Sequence, residues 1–271
     1  MKKTKAFLTY LLLGFITLIS LYPFYTMIIM ASYRSENLFQ QIPILPGNYF
    51  LENLKVVMSA NFTQTYVNSL LIAVISTVVS VLVSGMIGYG INVYQFRLKK
   101  IIVSFIMLTM MVPTQISIIG YMIEMRKMGF QDSLWPMIFV WFAHGFGAFW
   151  MIQFIQTSVP MEIIESARID GSGEFSTFLK IAFPCIKPAV TTLSLLVFLG
   201  SWNSYLYPLV FSNREELYTI PIFIKSLSNM YRTDYGAQLV GLSLSIVPVV
   251  ILFVICSKTF IKGLTAGAVK G

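Results

Sequence analysis

The run from Val56 to Phe96, VVMSANFTQTYVNSLLIAVISTVVSVLVSGMIGYGINVYQF, contains no Asp, Glu, Lys or Arg. A helix needs roughly 20 apolar residues to cross the hydrocarbon core of a bilayer. Each charge left at its centre costs about 2.5–3.5 kcal/mol on insertion. The run is longer than one crossing, and Asn61, Thr63 and Gln64 suit the membrane exterior, so its helix is expected to start near Tyr66. Five further uncharged runs follow the same rule: Ala6 to Tyr33, Ile101 to Ile123, Ser133 to Met161, Pro188 to Asn213 and Tyr235 to Ser257. Asn37 to Leu51 is also uncharged, but it is short and carries Gln40, Gln41, Pro43 and Pro46, which predicts a loop.

The composition agrees with a lipid-solvated chain. Hydrophobic residues make up 56% of it and charged residues 11%, where a soluble domain carries about 25% charged residues. The expected fold class is an all-α integral membrane protein with six transmembrane helices. Lys2, Lys3 and Lys5 before the first run resemble the start of a signal peptide. The apolar stretch runs well past a signal core of about 7–15 residues and meets no small-x-small cleavage site, so an uncleaved helix is expected. Cys185 and Cys256 are far apart and make neither a disulfide framework nor a zinc spacing.

Lys and Arg in alternate loops set the orientation. Twelve lie on one side, at the N-terminus, Arg97 to Lys100, Arg168 to Lys187 and Lys258 to Lys270; seven lie on the other. The first side is expected to be cytoplasmic, with both termini inside. Glu162, Glu165, Asp170 and Glu174 share that side, and the other seven acids lie opposite, so the whole formal charge of +8 falls inside. That pattern suits membrane topology better than nucleic-acid binding.

The six runs themselves carry no charge, which argues against proton- or ion-coupled transport through intramembrane carboxylates. His144, the one histidine, reads as a helix-packing group rather than a metal ligand. Ser76, Ser80, Ser84 and Gly88 recur every four residues and form a stripe of small residues for close helix packing, with a pore lining as the alternative. Pro113 sits within the third run, where a kink is expected, either as a gate or as ordinary bundle geometry. Trp202, Asn203 and Tyr205 combine aromatic rings with an amide, which suits sugar binding and suits interhelical hydrogen bonding equally well.

The segment 160–187 is different in kind. Pro160 can open a helix, Glu162 and Glu165 suit its N-terminus, and Gly171-Ser172-Gly173 interrupts it. Phe175, Phe178, Leu179 and Ala182 are expected on one face of a second amphipathic piece ended by Pro184. Glu165 and Arg168 are spaced to pair on one helix face, and Ala167 is small enough for a partner to approach. Such a helix–break–helix is suited to docking, on a protein or on the lipid surface.

Glu165-Ser166-Ala167-Arg168-Ile169-Asp170-Gly171-Ser172, followed by Phe178, Ile181 and Pro184, resembles the EAA loop of ABC importer permeases, E-A-A-x-x-D-G-A then F-x-x-I-x-L-P. Ser166, Ser172 and Phe183 are mild departures. Phe198 to Leu209 resembles the fifth-span signature of sugar permeases, Tyr218 to Pro221 the outer segment after it, and Gly263 to Gly271 the tail of MalG-like permeases. The resemblance covers most of the chain after about Pro113. It implies a type I (MetI-like) permease fold, divided as an N-terminal helix and outer loop (1–65), a permease core (66–262) with its coupling loop at 160–187, and a cytoplasmic tail (263–271).

The resemblance also implies a role and partners. The chain is expected to be one permease subunit of a binding-protein-dependent sugar importer in a prokaryotic cytoplasmic membrane, paired with a second, homologous permease. Two ATP-binding subunits and an extracytoplasmic sugar-binding protein complete the assembly. Glu162, Glu165, Ser166, Ala167, Asp170, Gly171, Phe178, Ile181 and Pro184 are the implied coupling positions, and Gly263, Thr265, Gly267 and Lys270 the implied tail contacts to the ATPases. The glycines of the tail favour an extended backbone. No Gly-Lys dipeptide occurs, so no Walker A loop exists in this chain; it is expected to be no enzyme and to bind no cofactor, with ATP and Mg held by partners. A polyol or glycerol phosphate permease, and a secondary transporter, are the alternatives.

Overall fold

The computed structural model describes residues 2–38, 43–228 and 233–268, with side chains between 5 and 259. Among them the only β pairing is one isolated bridge, Ser228 with Thr233; the rest is helix and turn. Three helices are long and apolar enough to cross a membrane unbroken: α1 (Lys2–Met30), α3 (Phe62–Val93) and α14 (Tyr235–Ala268). Almost none of α1 is buried within the chain, as suits a helix whose solvent is lipid.

Two bent pairs bring the possible spans to five. The first is α4 (Lys99–Met111) and α5 (Thr114–Lys127), which meet at 103°. Pro113 causes the bend: its ring removes a backbone donor and forces the residue before it out of helical geometry, and Val112 is extended at ψ 120°. The second pair meets at 87°, where the segment Glu174–Cys185 turns into α11 (Lys187–Trp202).

Several of the six expected spans are thus built from more than one helix. The fourth run divides into α6 (Trp135–Phe139) and α7 (Gly145–Ser158). His144 stands at the start of α7 in an extended conformation, φ −84° and ψ 103°. Gly145 and Gly147 follow because the chain passes close to its neighbours: a Cβ on Gly145 would lie 2.5 Å from Thr109 Oγ1, and one on Gly147 2.6 Å from Ser84 Oγ. The second helix begins at Phe62 rather than near Tyr66, taking Thr63 and Gln64 into its first turn after Asn61 at φ 60°. The fifth run ends α11 at Trp202 and resumes as α12 (Leu206–Phe211).

The chain divides into two compact units. One comprises 1–66 and 220–248. Its core joins α1, α2 (Phe50–Ser59), α13 (Ile220–Ser226) and the start of α14 through Ala31, Val57, Phe223, Ala237 and Val240. Buried Asn53 donates to the carbonyls of Ala31 and Tyr33, both at 2.9 Å, partners that the end of a helix otherwise lacks. Asp234 Oδ1 accepts from Ala237 N at 3.1 Å and from Ser35 Oγ at 2.8 Å, which caps α14 and ties it to the segment after α1.

The other unit comprises 67–219 and 249–271. The stripe Ser76, Ser80, Ser84 is buried, and its lower part meets α7 at close range. A Cβ on Gly88 would lie 2.8 Å from the carbonyl carbon of Met151 and 3.0 Å from Ile152 N. Asn92 seals the crossing by donating to Ile152 O at 2.9 Å. Trp150 Nε1 in turn donates to Ala189 O, joining α7 to α11.

This contact makes a testable contrast on one helix. Gly88→Ala meets backbone that cannot yield and is expected to destabilise by about 1–3 kcal/mol. Gly90→Ala has open space around its Cβ and should be neutral or stabilising by about 0.5–1 kcal/mol. Thermal unfolding of the purified variants in detergent checks both; equal midpoints would contradict the close α3–α7 crossing.

Candidate functional site

The segment 160–187 builds a polar cluster on an apolar base. Pro160 is extended, and α8 (Met161–Ile169) starts directly after it. Ile164 and Ala167 face inward at 0% and 5% exposure. Glu162, Glu165, Ser166, Arg168 and Asp170 face outward, as does Ile169 at 87% exposure. Ala167 is thus packed inside the chain and offers no surface to a partner.

The helix ends in a turn closed by two backbone bonds. Ser172 N donates to Ala167 O at 2.9 Å, and Gly171 N to Arg168 O at 3.0 Å, the crossed pair of a Schellman end. Gly171 takes φ +80°, with nothing within 4 Å of where a Cβ would stand. The helix break expected at Gly171-Ser172-Gly173 thus turns on a left-handed glycine. Thr177, fully buried, donates to Ser172 Oγ at 3.0 Å and bonds the far side of the turn to α9 (Glu174–Thr177).

A π-helical turn, Phe178–Ala182, follows, then α10 (Phe183–Cys185). The wider turn alters which side chains share a face. Phe178 and Ala182 are buried, whereas Phe175 and Leu179, expected beside them, are exposed at 65% and 37%. Ile181 is half-buried and Pro184 exposed. Ile164, Phe178, Ala182 and Ile186 enter one apolar core with Val81, Tyr89, Met151, Ile155, Ala189 and Leu193. The segment is therefore anchored on α3, α7 and α11 along one side and open on the other.

Arg168 does not pair with Glu165. Its Nε lies 2.7 Å from Glu174 Oε1, across the Gly171 turn. Glu174 Oε2 also accepts from Tyr94 at 2.6 Å and from Tyr89 at 3.1 Å. The Arg168 guanidinium stands 5.7 Å from the centre of the Tyr94 ring. Glu174, Tyr89 and Tyr94 escape a search for helix-spaced pairs; the available signal is that a Schellman turn brings residues six apart on the two sides of a glycine together. A cleft of about 270 Å³ adjoins the cluster, lined by Met86, Gly90, Phe175 and Phe178 as well.

The residues expected along a substrate path do not converge. Trp202 is buried, stacked on Phe198 with ring centres 5.7 Å apart. Asn203 is exposed, and its amide donates to Leu199 O at 2.9 Å, closing the end of its own helix. Tyr205 is exposed at 40%. Gly263, Thr265 and Gly267 lie on helical backbone, since α14 continues through Ala268, in place of the expected extended tail. Lys270 lies outside the described residues.

Glu174 gives the site a pH signature. Its bonds from Arg168 and then from Tyr94 favour the carboxylate and hold its pKa at about 2, against an ordinary 4.5. The Tyr94 phenol is raised, first by its bond to Glu174. A carboxyl lowered on folding adds stability that is full above about 4.5 and is lost as pH falls from there towards about 2. Isotope-edited infrared spectra of Glu174 should show the carboxylate persisting to pH 3; protonation with a midpoint near its ordinary value would contradict the cluster.

Residues 80–267 match the family described as "Binding-protein-dependent transport system inner membrane component". The arabinooligosaccharides transport system permease protein AraQ of Halalkalibacterium halodurans is 31% identical over 100% of this chain and 99% of its own length. AraQ of Bacillus subtilis is 34% identical over 78% of this chain and 74% of its own length. The trehalose/maltose transport system permease protein MalG of Thermococcus litoralis is 28% identical over 94% of this chain and 93% of its own length. Among solved structures, a bacterial ABC transporter involved in the import of the acidic polysaccharide alginate superposes with a TM-score of 0.79, over 95% of this chain and 97% of that one. At 23% identity, that likeness speaks for the fold.

Proposed function

The chain belongs to the family of binding-protein-dependent transport system inner membrane components, and from that premise we propose that it is a permease subunit of an ATP-driven importer for a sugar or oligosaccharide. Its full-length relatives are named for arabinooligosaccharides and for trehalose and maltose, which supports a carbohydrate as the solute. Its partners are a second, homologous permease, two ATP-binding subunits that hold ATP and Mg, and an extracytoplasmic binding protein. Both termini and the segment 160–187 face the cytoplasm, a reading supported by the excess of Lys and Arg on that side.

The observation that carries the mechanism is the two-sided build of 160–187. One face is locked into the core through Ile164, Phe178 and Ala182; the other presents Glu162, Glu165, Ile169 and Asp170. A load applied to the open face reaches α3, α7 and α11 through the locked one. ATP shifts the balance between inward- and outward-open states only by as much as it favours one of them, so the segment must be stiff enough to carry that preference. The six apolar runs carry no charge, which suits a neutral, hydroxyl-rich solute.

Gly171 tests this reading. Leucine there fits the open space but resists φ +80° by about 1–2 kcal/mol, enough to undo the Ser172–Ala167 bond without unfolding the helices. Gly171→Leu in the reconstituted complex should assemble at normal stoichiometry and lose most substrate-stimulated ATP hydrolysis and uptake. Gly171→Asn, which accepts the left-handed region, should retain more of both. Full stimulated hydrolysis and uptake in an assembled Gly171→Leu complex would overturn the assignment.

A further inference from the structure

Burial accounts for how the segment 160–187 is held down, but not for how it is kept from turning. Contacts of Ile164, Phe178 and Ala182 with the core are apolar and have no preferred direction. Within the segment the angle of α8 is set by bonds local to the Gly171 turn, Ser172 N to Ala167 O and Thr177 Oγ1 to Ser172 Oγ, neither of which reaches α3. Directional bonds that tie that angle to α3 come from one carboxylate.

Glu174 uses both oxygens on three elements. Oε1 takes the Arg168 guanidinium of α8 at 2.7 Å. Oε2 takes the hydroxyl of Tyr94, just past the end of α3, at 2.6 Å, and that of Tyr89, within α3, at 3.1 Å. Arg168 also lies over the Tyr94 ring, and Tyr89 packs on Phe178 with ring centres 5.5 Å apart. The carboxylate thus closes a ring that runs α8, Gly171 turn, α9 and the end of α3. Without it, α8 and α3 are joined by apolar packing and by the Arg168 guanidinium over the Tyr94 ring alone.

We propose that Glu174 is a positioning residue that makes α8 and the Tyr89–Tyr94 end of α3 move as one body, so that movement imposed on α8 is delivered to α3 as well as along the chain to α11. This rests on the reading of 160–187 as the segment that meets the ATP-binding subunits. Arg168 and Glu174 are partly exposed, at 36% and 45%, and an exposed ion pair adds little to stability. The consequence of losing the carboxylate is therefore transmission rather than folding. α3 is the helix whose Ser84–Gly88 stripe crosses α7 at backbone contact, so a rotation delivered to its end is carried into the bundle.

The test uses the complete transporter in nanodiscs: this chain, its partner permease, the ATP-binding subunits and the binding protein. Amide hydrogen exchange is followed in residues 161–169 and 89–96, with and without ATP, together with uptake per ATP hydrolysed. In the native complex ATP should change exchange in both segments. Glu174→Gln, which keeps the shape but turns an amide donor towards Arg168 or the tyrosines, should keep the change in 161–169 and lose that in 89–96. Uptake per ATP should fall about three- to tenfold, the scale of one or two lost hydrogen bonds. Tyr94→Phe, which spares the Arg168–Glu174 pair, should give the same segment-selective loss at smaller size. An ATP response at 89–96 that survives Glu174→Gln overturns the joint. No ATP response in either segment of the native complex overturns the prior reading of 160–187, and a loss of uptake with both responses intact shows Glu174 acting elsewhere and overturns the joint.

Discussion

Ile164, Phe178 and Ala182 are buried to within 2% of completely against Val81, Tyr89, Met151, Ile155 and Leu193. Each of the larger two contributes about 1.5–3 kcal/mol by leaving water. That contact decides what the segment 160–187 is. An amphipathic helix lying on lipid would bury its apolar face in acyl chains and be free to slide. Here the apolar residues Ile164, Phe178 and Ala182 are spent on the helices of the same chain, and the polar face is left open. The Glu174 cluster depends on that seating, because its bonds to Tyr89 and Tyr94 require α8 and α9 to be held at a fixed place beside α3.

The seating in turn depends on how closely the helices beneath it cross. Between helices in lipid there is no hydrophobic drive, and association comes from packing and hydrogen bonds. Gly88, Gly145 and Gly147 place backbone against side chain at distances no Cβ tolerates. Asn92 and Trp150 add bonds to backbone carbonyls across α3–α7 and α7–α11. The result is a tight floor under a segment whose outer face is open, which is the mechanical arrangement that transmission of movement requires.

Much of this was legible in the sequence for a physical reason: lipid imposes one rule on every residue. The six uncharged runs, the bend at Pro113, the small-residue stripe and the helix break at Gly171-Ser172-Gly173 all follow from that rule or from steric limits on single residues. What stayed hidden depends on which neighbour wins. Residues 140–144 break a span with no charge or proline of their own and His144 as their one polar residue, since the break serves contacts with α3 and α4. Arg168 had Glu165 within reach on its own helix, but Glu174 offers two tyrosine hydroxyls as further donors and a position fixed by the turn. Phe175 and Leu179 looked buried because a helix of 3.6 residues per turn was assumed where a π turn forms. For Trp202 and Asn203 the sequence left sugar binding and helix bonding equally open; one packs on Phe198 and the other bonds the end of its own helix.

The central claim is that the open face of α8 meets an ATP-binding subunit. Ile169 is the most direct probe, because its side chain is 87% exposed and touches little of its own chain. A photo-crosslinking amino acid placed at Ile169 in the assembled transporter, irradiated and analysed by mass spectrometry, should give an adduct to the ATP-binding subunit. Adducts confined to lipid or to the partner permease would contradict the account.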